Sequence, residues 1–399
     1  MSTLAFWLDE PYEPRPPLRG EVEVEACVIG AGVGGLACAR RLAQHGIETI
    51  VLERDTVAGG ASGRNGGFLL AGMAAFHVDA QERYGSDYAR RVYARTLEAQ
   101  EEIYALAEQL GAGEAVRRTG LLRVSASEDE AEHVGRHVAS LRADGFPGEL
   151  LEREQLPPAL RRAAWNGCLT EHDGSLHPAR WIRALARAAE HAGARIHEGS
   201  AAGGPLEPGG AVVTEAGSVR ARHVIVAADG ALPGLVPGYR GRVRARRLHM
   251  VATAPLAEPV SDRPVYSRWG YEYFQQRPDG RIAVGGFSDC DGEGAADSYT
   301  TREEPSPAIH ARIEQFLRDD LGVTAPVTHR WVGLVGYSRD ERAFAGAVPG
   351  HDGLYAAGGY NGTGNLNGFT AGRIISELLA TGASADAGLY DPARPLRTG

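Results

Sequence analysis

The 399-residue chain contains no lysine, so all 42 of its basic residues are arginine. That absence removes every mechanism built on a side-chain amine, Schiff bases and lysine general bases included. Cysteine is scarce. The four present, Cys27, Cys38, Cys168 and Cys290, form no CxxC pair and no metal-like spacing, so buried free thiols are expected, with no disulfide and no metal site. No stretch reaches the ~18 apolar residues that a membrane span needs. The first twenty residues also lack the basic start and apolar segment of a signal peptide. The expectation is a soluble, cytoplasmic protein. No run of like charges and no aromatic-basic patch accompanies the formal net charge of −9, which argues against nucleic acid and anionic membrane as partners.

What is abundant is glycine, 53 residues, about double the usual share of ~7% and clustered at turns. With 43% hydrophobic residues the chain can bury a large core and is expected to form two domains. VEACVIG (24–30) reads as a strand buried on both faces, GLACARRLAQHG (35–46) as a helix closed by Gly46, and IETIVLER (47–54) as a second buried strand. This is a βαβ unit, hence a parallel sheet. Within it Gly30, Gly32 and Gly35 fit G-x-G-x-x-G: tight turn, backbone approach to a pyrophosphate, and close helix packing. Glu53 ends the second strand about twenty residues on, where a carboxylate can bond both ribose hydroxyls. An adenine dinucleotide is expected.

A helix is expected over 78–110, a strand over 117–127, a charged helix after it, and another helix over 175–193. HVIVAAD (223–229) resumes the buried-strand style. Alternating stretches between about 240 and 330 suggest an antiparallel sheet carrying several aromatics, and residues 353–380 give one more strand, a glycine turn and a helix.

Two glycine-rich turns choose between the dinucleotides. In GASGRNGG (60–67) small residues bring main-chain amides close to a flat, polar-edged ligand, while Ser62, Arg64 and Asn65 can reach phosphate or ring heteroatoms. GGYNGTGN (358–365) precedes the last helix, whose start can stabilise the negative charge of a reduced flavin ring. NAD has no such need. FAD is therefore favoured.

On these residues, together with LHPARWIRALARAA, VIVAADGA and QRPDGRIAVGG, the sequence resembles the D-amino-acid oxidase/sarcosine oxidase family of FAD-dependent oxidoreductases over nearly its whole length. Within that family it looks most like the γ-glutamylputrescine oxidase-like proteins, which share the aromatic lead-in and the GASGRNGG type of loop. The resemblance implies an α/β two-domain fold: a Rossmann-like FAD-binding domain with a parallel sheet, and a substrate domain with a large antiparallel sheet. The boundaries expected are 22–90, 168–235 and 336–385 for the FAD domain, 91–167 and 236–335 for the substrate domain, and 1–21 for a lead-in segment. It further implies oxidation of an amine C–N bond to an imine, hydrolysed afterwards, with Ala202 and Ala227 bordering the adenosine. Arg54, Gly66, Gly67, Gly359, Asn361, Gly362, Thr363, Gly364 and Asn365 complete the expected cofactor set.

Three departures narrow the carry-over. Val335 stands where amino-acid-oxidising members hold the substrate carboxylate with arginine. RIAVGGF offers neither the lysine nor the histidine of sarcosine oxidases, which leaves O2 or another electron acceptor open. Gly333 stands near the position of their flavin-linking cysteine, and no histidine follows Glu53, so noncovalent FAD is expected. The chemistry expected is hydride transfer from the amine's α-carbon to flavin N5, with no obligatory base and with the rate drawn mostly from geometry. Tyr271, Tyr273, Phe274, Tyr360 and His249 are the substrate-pocket candidates, with His77 a weaker one. Tyr271 and Tyr273 are expected on one strand face, as pocket or as core. The alternatives are a glycine- or sarcosine-type amino-acid oxidase or demethylase, and an electron-transfer subunit without its own substrate. Oligomeric state is left open.

Overall fold

The apolar run near the N-terminus becomes the inner half of a ten-residue strand, β1 (Gly20–Ile29), whose last four residues are all buried. β1 lies parallel to β2 (Thr49–Leu52), with Cys27 opposite Ile50, and parallel to Gly217–Val226, with Cys27 opposite Val224. The helix between them, α1 (Val33–Gln44), starts directly after the glycine turn. A Cβ on Gly35 would run into the carbonyl oxygen of Gly30. A Cβ on Gly30, at φ +109°, would lie 2.6 Å from the Ala227 oxygen. Helix, turn and sheet therefore close to a distance that only glycine permits.

The computed structural model describes residues 3–206, 209–290 and 298–396, and the chain divides into two units. The first (10–63, 178–246, 334–399) holds a seven-stranded mixed sheet. Its central strands are parallel, and Phe344–Ala347 adds an antiparallel edge to Leu354–Gly358. Val24, Ile29, Leu52, Val226 and Leu354 are among its core residues. The second unit (1–9, 64–177, 247–333) is dominated by an eight-stranded sheet of mainly antiparallel pairs. One face of that sheet, carrying Leu122, Val124, Phe274 and Val284, packs with Ile309, Ile313 and Phe316 of the helix Pro307–Asp319. The fold is the two-domain α/β arrangement expected, one unit with a Rossmann-like parallel sheet and one with a large antiparallel sheet. The chain passes between units inside the strands Val243–Thr253 and Val327–Ser338.

Several local expectations are corrected. The helix expected over 78–110 is two, His77–Tyr84 and Ser86–Gln109, because Gly85 sits between them at φ +94°. The helix expected from 175 starts at Pro178, a proline at its first turn, and Gly174–Leu176 is a strand instead. Tyr271 lies outside the strand Glu272–Gln276, after a turn in which Arg268 and Trp269 take φ +48° and +57°. The alternation that paired it with Tyr273 therefore does not reach it.

Unit boundaries also differ from those expected. Residues 64–90 and 168–177 belong to the antiparallel unit, where Phe68–Leu69 and Val116–Arg117 both pair with Gly174–Leu176. Residues 236–246 belong to the other unit, where Val236, Tyr239 and Val243 enter the core beside Phe344 and Leu354. The lead-in divides after Asp9. Its first part forms a short turn at Phe6–Leu8 that buries Trp7 completely, and its second part reaches Glu198 through Tyr12 and Arg15.

The close approach at the first turn makes a direct prediction. Gly35→Ala should destabilise the protein by about 1–3 kcal/mol, the usual cost of overpacking, because backbone and not a side-chain tip stands in the way. Chemical denaturation of the purified variant measures it, and an unchanged midpoint would contradict the packing described.

Candidate active site

In the parallel-sheet unit, three glycine-rich segments meet at the starts of two helices. Gly32 caps α1, and its N–H has no hydrogen-bond partner among the described residues. Ser62 Oγ accepts from the Val33 amide at 3.0 Å, so this hydroxyl already serves the helix start. The last helix, Gly364–Thr381, follows Thr363. A Cβ on Gly34 would lie 2.8 Å from the Tyr360 hydroxyl and 3.2 Å from the Gly368 carbonyl, which sets the two helix starts side by side. An unsatisfied amide at a helix start, with no side chain over it, suits a pyrophosphate.

Glu53 follows the strand Thr49–Leu52, beside the first glycine turn. Its Oε2 accepts from the Ala31 amide at 2.8 Å and its Oε1 from the Asp55 amide at 3.0 Å. Each oxygen retains lone pairs for the two hydroxyls of a ribose. Burial raises the Glu53 pKa, with the Asp55 and Ala31 amides pulling the other way. Arg54 beside it is exposed and paired with Asp55. Ala227 donates its amide to Ile29 and its oxygen borders Gly30, while Ala202 packs at the edge of the same core.

The turn at 358–363 is organised by Asp229, a residue that sequence reading missed. Its carboxylate accepts from the amides of Gly336 at 2.6 Å, Gly359 at 2.9 Å and Tyr360 at 3.4 Å. Desolvation raises its pKa, and the Gly336, Tyr360, Gly359 and Gly230 amides oppose that rise. Asp229 and Asn361 both hold left-handed backbone, φ +42° and +54°, a strain that persists only where the surroundings enforce it. Asn361 supplies that enforcement, accepting from Ser338 N at 2.9 Å and donating to Gly359 O at 2.6 Å. Thr363 donates its hydroxyl to Tyr360 O, and Asn367 donates to Thr363 Oγ1 at 2.9 Å. Gly359 (φ +67°) and Gly362 (φ +90°) complete the bend, with Gly364 and Asn365 in the first turn of the helix. An aspartate directly after a buried strand, in VIVAADGA, was the available signal for this hub.

In the antiparallel unit, residues 64–67 are held by their carbonyls. Trp331 donates to Arg64 O at 2.8 Å, Trp7 to Asn65 O at 2.8 Å and Gln275 to Gly66 O at 2.6 Å. Arg64 reaches Glu303 at 3.1 Å and Val332 O at 3.3 Å, and Asn65 Oδ1 accepts from the Gly67 amide. A Cβ on Gly66 would lie 2.5 Å from Phe68 and 3.1 Å from Tyr273. Phe68, Tyr266 and Tyr273 form an aromatic trio, with ring centroids 4.7 Å apart for Phe68–Tyr266, 5.7 Å for Phe68–Tyr273 and 5.6 Å for Tyr266–Tyr273.

Of the pocket candidates, only Tyr273 lies in this trio. Phe274 points to the opposite face and is core, its ring 6.4 Å from Phe316. Tyr271 lies under the Arg268 guanidinium. Tyr360 fits its ring against the glycines of the last helix, Gly364 and Gly368. Its hydroxyl is buried without a hydrogen bond among the described residues, and burial raises its pKa. His249 Nε2 accepts from the Ser306 amide, and His77 pairs with Asp144 at 2.7 Å. Phe68 and Tyr266 were the rings missed.

A family model described as FAD dependent oxidoreductase matches residues 25–378. The chain belongs to that family. It is 28% identical over 386 residues to a probable oxidoreductase OrdL of Rhizobium meliloti, covering 93% of this chain and 86% of that one. It is 27% identical over 384 residues to the gamma-glutamylputrescine oxidoreductase of Escherichia coli, covering 92% and 86%. Among solved structures, glycine oxidase from Geobacillus kaustophilus superposes with a TM-score of 0.80 at 20% identity, covering 94% of this chain and 100% of that one. The residues of this FAD-dependent oxidoreductase fit the group: a free helix-start amide, a carboxylate with spare lone pairs, and turns stripped of side chains.

Two predictions follow from the geometry of the flavoprotein. A ribose bound here would donate its hydroxyls to the Glu53 carboxylate, so the deprotonated form should be the one that binds FAD. Because the pKa is raised, the dissociation constant should climb as pH falls through a window above the ordinary value of about 4.3. Glu53→Gln should flatten that dependence and weaken FAD by about ten- to a hundredfold, read by fluorescence titration of apoprotein. Asp229→Asn would turn an amide nitrogen toward backbone N–H donors. It should cost about 2–3 kcal/mol of stability and release flavin at lower temperature, read by flavin fluorescence on heating.

Proposed function

We propose that this flavoenzyme oxidises the C–N bond of a primary or secondary amine to an imine, which water then hydrolyses. FAD, when bound, supplies the acceptor for the hydride that leaves the carbon next to nitrogen. The observation that carries the reading is the trio Phe68, Tyr266 and Tyr273 packed against Gly66. Such rings desolvate an amine and so lower its pKa toward the neutral form that reacts, while their π-faces still tolerate the incoming cation.

No residue here needs to act as a strong base. The chain has no lysine, and its chemistry rests on position and water exclusion. The relatives named above include an oxidoreductase of gamma-glutamylputrescine and a glycine oxidase, both named for nitrogen compounds, which supports an amine as the substrate class. A noncovalent flavin is part of the same reading. Burial pushes the thiols of Cys27, Cys38 and Cys168 up to about 12, too high for the thiolate that flavin attachment requires.

Anaerobic mixing of the yellow protein with polyamines, N-methyl amino acids and γ-glutamyl amines should bleach the flavin with at least one of them. No bleaching by any amine would sink the proposal and favour an electron-transfer subunit. Tyr273→Leu should slow that reduction about tenfold without changing flavin content. Oxygen uptake with the active amine then separates oxidase from dehydrogenase, and acid precipitation should leave all flavin in the supernatant.

A further inference from the structure

Glu198 is only 1% exposed and stands one residue past the short strand Arg195–His197, at the edge of the parallel sheet. Its carboxylate takes hydrogen bonds from two segments far apart in sequence. Oε1 accepts from the Tyr12 hydroxyl and the Val57 amide, and Oε2 accepts from the Arg15 amide. Tyr12 and Arg15 belong to the lead-in, and both are fastened on their other sides. Arg15 donates Nε and Nη2 to the two oxygens of Glu190 on the helix Pro178–His191, and its Nη1 donates to the Tyr12 hydroxyl at 2.8 Å. The Arg183 guanidinium lies over the Tyr12 ring, 4.2 Å from its centroid. Ser200 repeats the link: its Oγ accepts from the Leu18 amide at 2.9 Å, while its own amide donates to Glu53 O at 2.7 Å. A desolvated carboxylate is stable only where donors surround it. Here the donors are the lead-in on one side and, on the other, the chain that leaves β2.

What Glu198 holds is the base of the glycine loop that begins at residue 60. Directly after Val57, Ala58 takes φ +69°, a left-handed backbone that is unfavourable for any residue bearing a Cβ. The bend sets the Ala58 carbonyl against Gly63, where a Cβ would run into it. Ser62, next to Gly63, reaches the first glycine turn. Its hydroxyl holds the Val33 amide at 3.0 Å, and a Cβ on Gly32 would lie 2.8 Å from that oxygen. One path of contacts thus runs from the lead-in through Glu198, Val57, Ala58 and Gly63 to the start of α1, all of it within one unit.

We infer that Glu198 is a positioning residue for FAD, and that the lead-in, by clamping Glu198, sets how tightly the cofactor is held. Buried as it is, the carboxylate acts through the loop. By keeping Ala58 in its left-handed bend it holds Ser62 and Gly63 against the α1 start before FAD arrives, so the cost of ordering the loop is not taken from the binding energy. This rests on FAD lying at that helix start and is independent of which compound the enzyme oxidises.

The test titrates apoprotein with FAD at a temperature where circular dichroism shows each variant folded, so that lowered stability alone leaves the affinity unmoved. Glu198→Gln keeps the shape of the side chain but turns an NH2 group toward one of its donors, and it should weaken FAD about ten- to a hundredfold. Adding Ala58→Gly to that variant should recover about fivefold of the loss, since glycine takes the bend without the clamp. Tyr12→Phe, which removes one donor on the lead-in side, should weaken FAD about three- to tenfold. Wild-type affinity in Glu198→Gln, whether or not its melting temperature falls, would overturn the inference, and so would a double variant that binds no more tightly than Glu198→Gln. Glu53→Gln separates the clamp from the placement of FAD. If Glu53→Gln weakens FAD and Glu198→Gln does not, the clamp alone is wrong; if neither weakens it, FAD does not lie at this helix start and both fail. Should Glu198→Gln not fold, Tyr12→Phe decides, and an unchanged FAD affinity there counts against the proposal.

Discussion

One carboxylate holds together the part of the parallel-sheet unit that matters most. Asp229 leaves the end of Gly217–Val226 and gathers amides from Gly336, Gly359 and Tyr360. Three chain segments distant in sequence are thereby fixed to a single point. Burying a carboxylate is expensive unless amides surround it, and here the amides belong to the backbone that must be positioned. The left-handed residues Asp229 and Asn361 and the bend before the last helix follow from that tie. With α1 packed against the same helix, both helix starts are fixed as one rigid object.

The glycine loop at 64–67 is controlled by a different device. Trp7 and Trp331 each take one carbonyl and Gln275 takes those of Gly66 and Gly67, while Phe68 and Tyr273 press against Gly66. The indole N–H groups of two completely or nearly completely buried tryptophans need partners, and the loop provides them. Trp7, in the N-terminal turn, thus helps set the shape of the loop. With no lysine and with its buried thiols held protonated, the chemistry proposed above draws on position, desolvation and fixed dipoles instead of a nucleophile or a strong base.

The legible parts were those governed by spacing along the chain. Gly30, Gly32, Gly35 and Glu53 announce a dinucleotide turn because strand, turn and helix follow each other within one short segment. Two domains, a parallel sheet and an antiparallel sheet were readable from the change in hydrophobic pattern. Less legible was anything set by the face a side chain takes. Tyr271, Tyr273 and Phe274 are neighbours in sequence, yet one belongs to a turn, one faces Phe68 and one faces Phe316. Two left-handed residues before the strand shifted where alternation begins.

Family, cofactor and fold class were therefore determined by the sequence alone, since a flavin's phosphates and ring demand glycine turns that leave a local signature. Which rings line the aromatic trio and which carboxylate ties the turn were decided only by tertiary structure. Asp229 and Tyr266 take their roles from partners more than a hundred residues away or on a neighbouring strand. Nothing local marks a carboxylate as the hub of a turn, because its partners are a property of what folding brings near it.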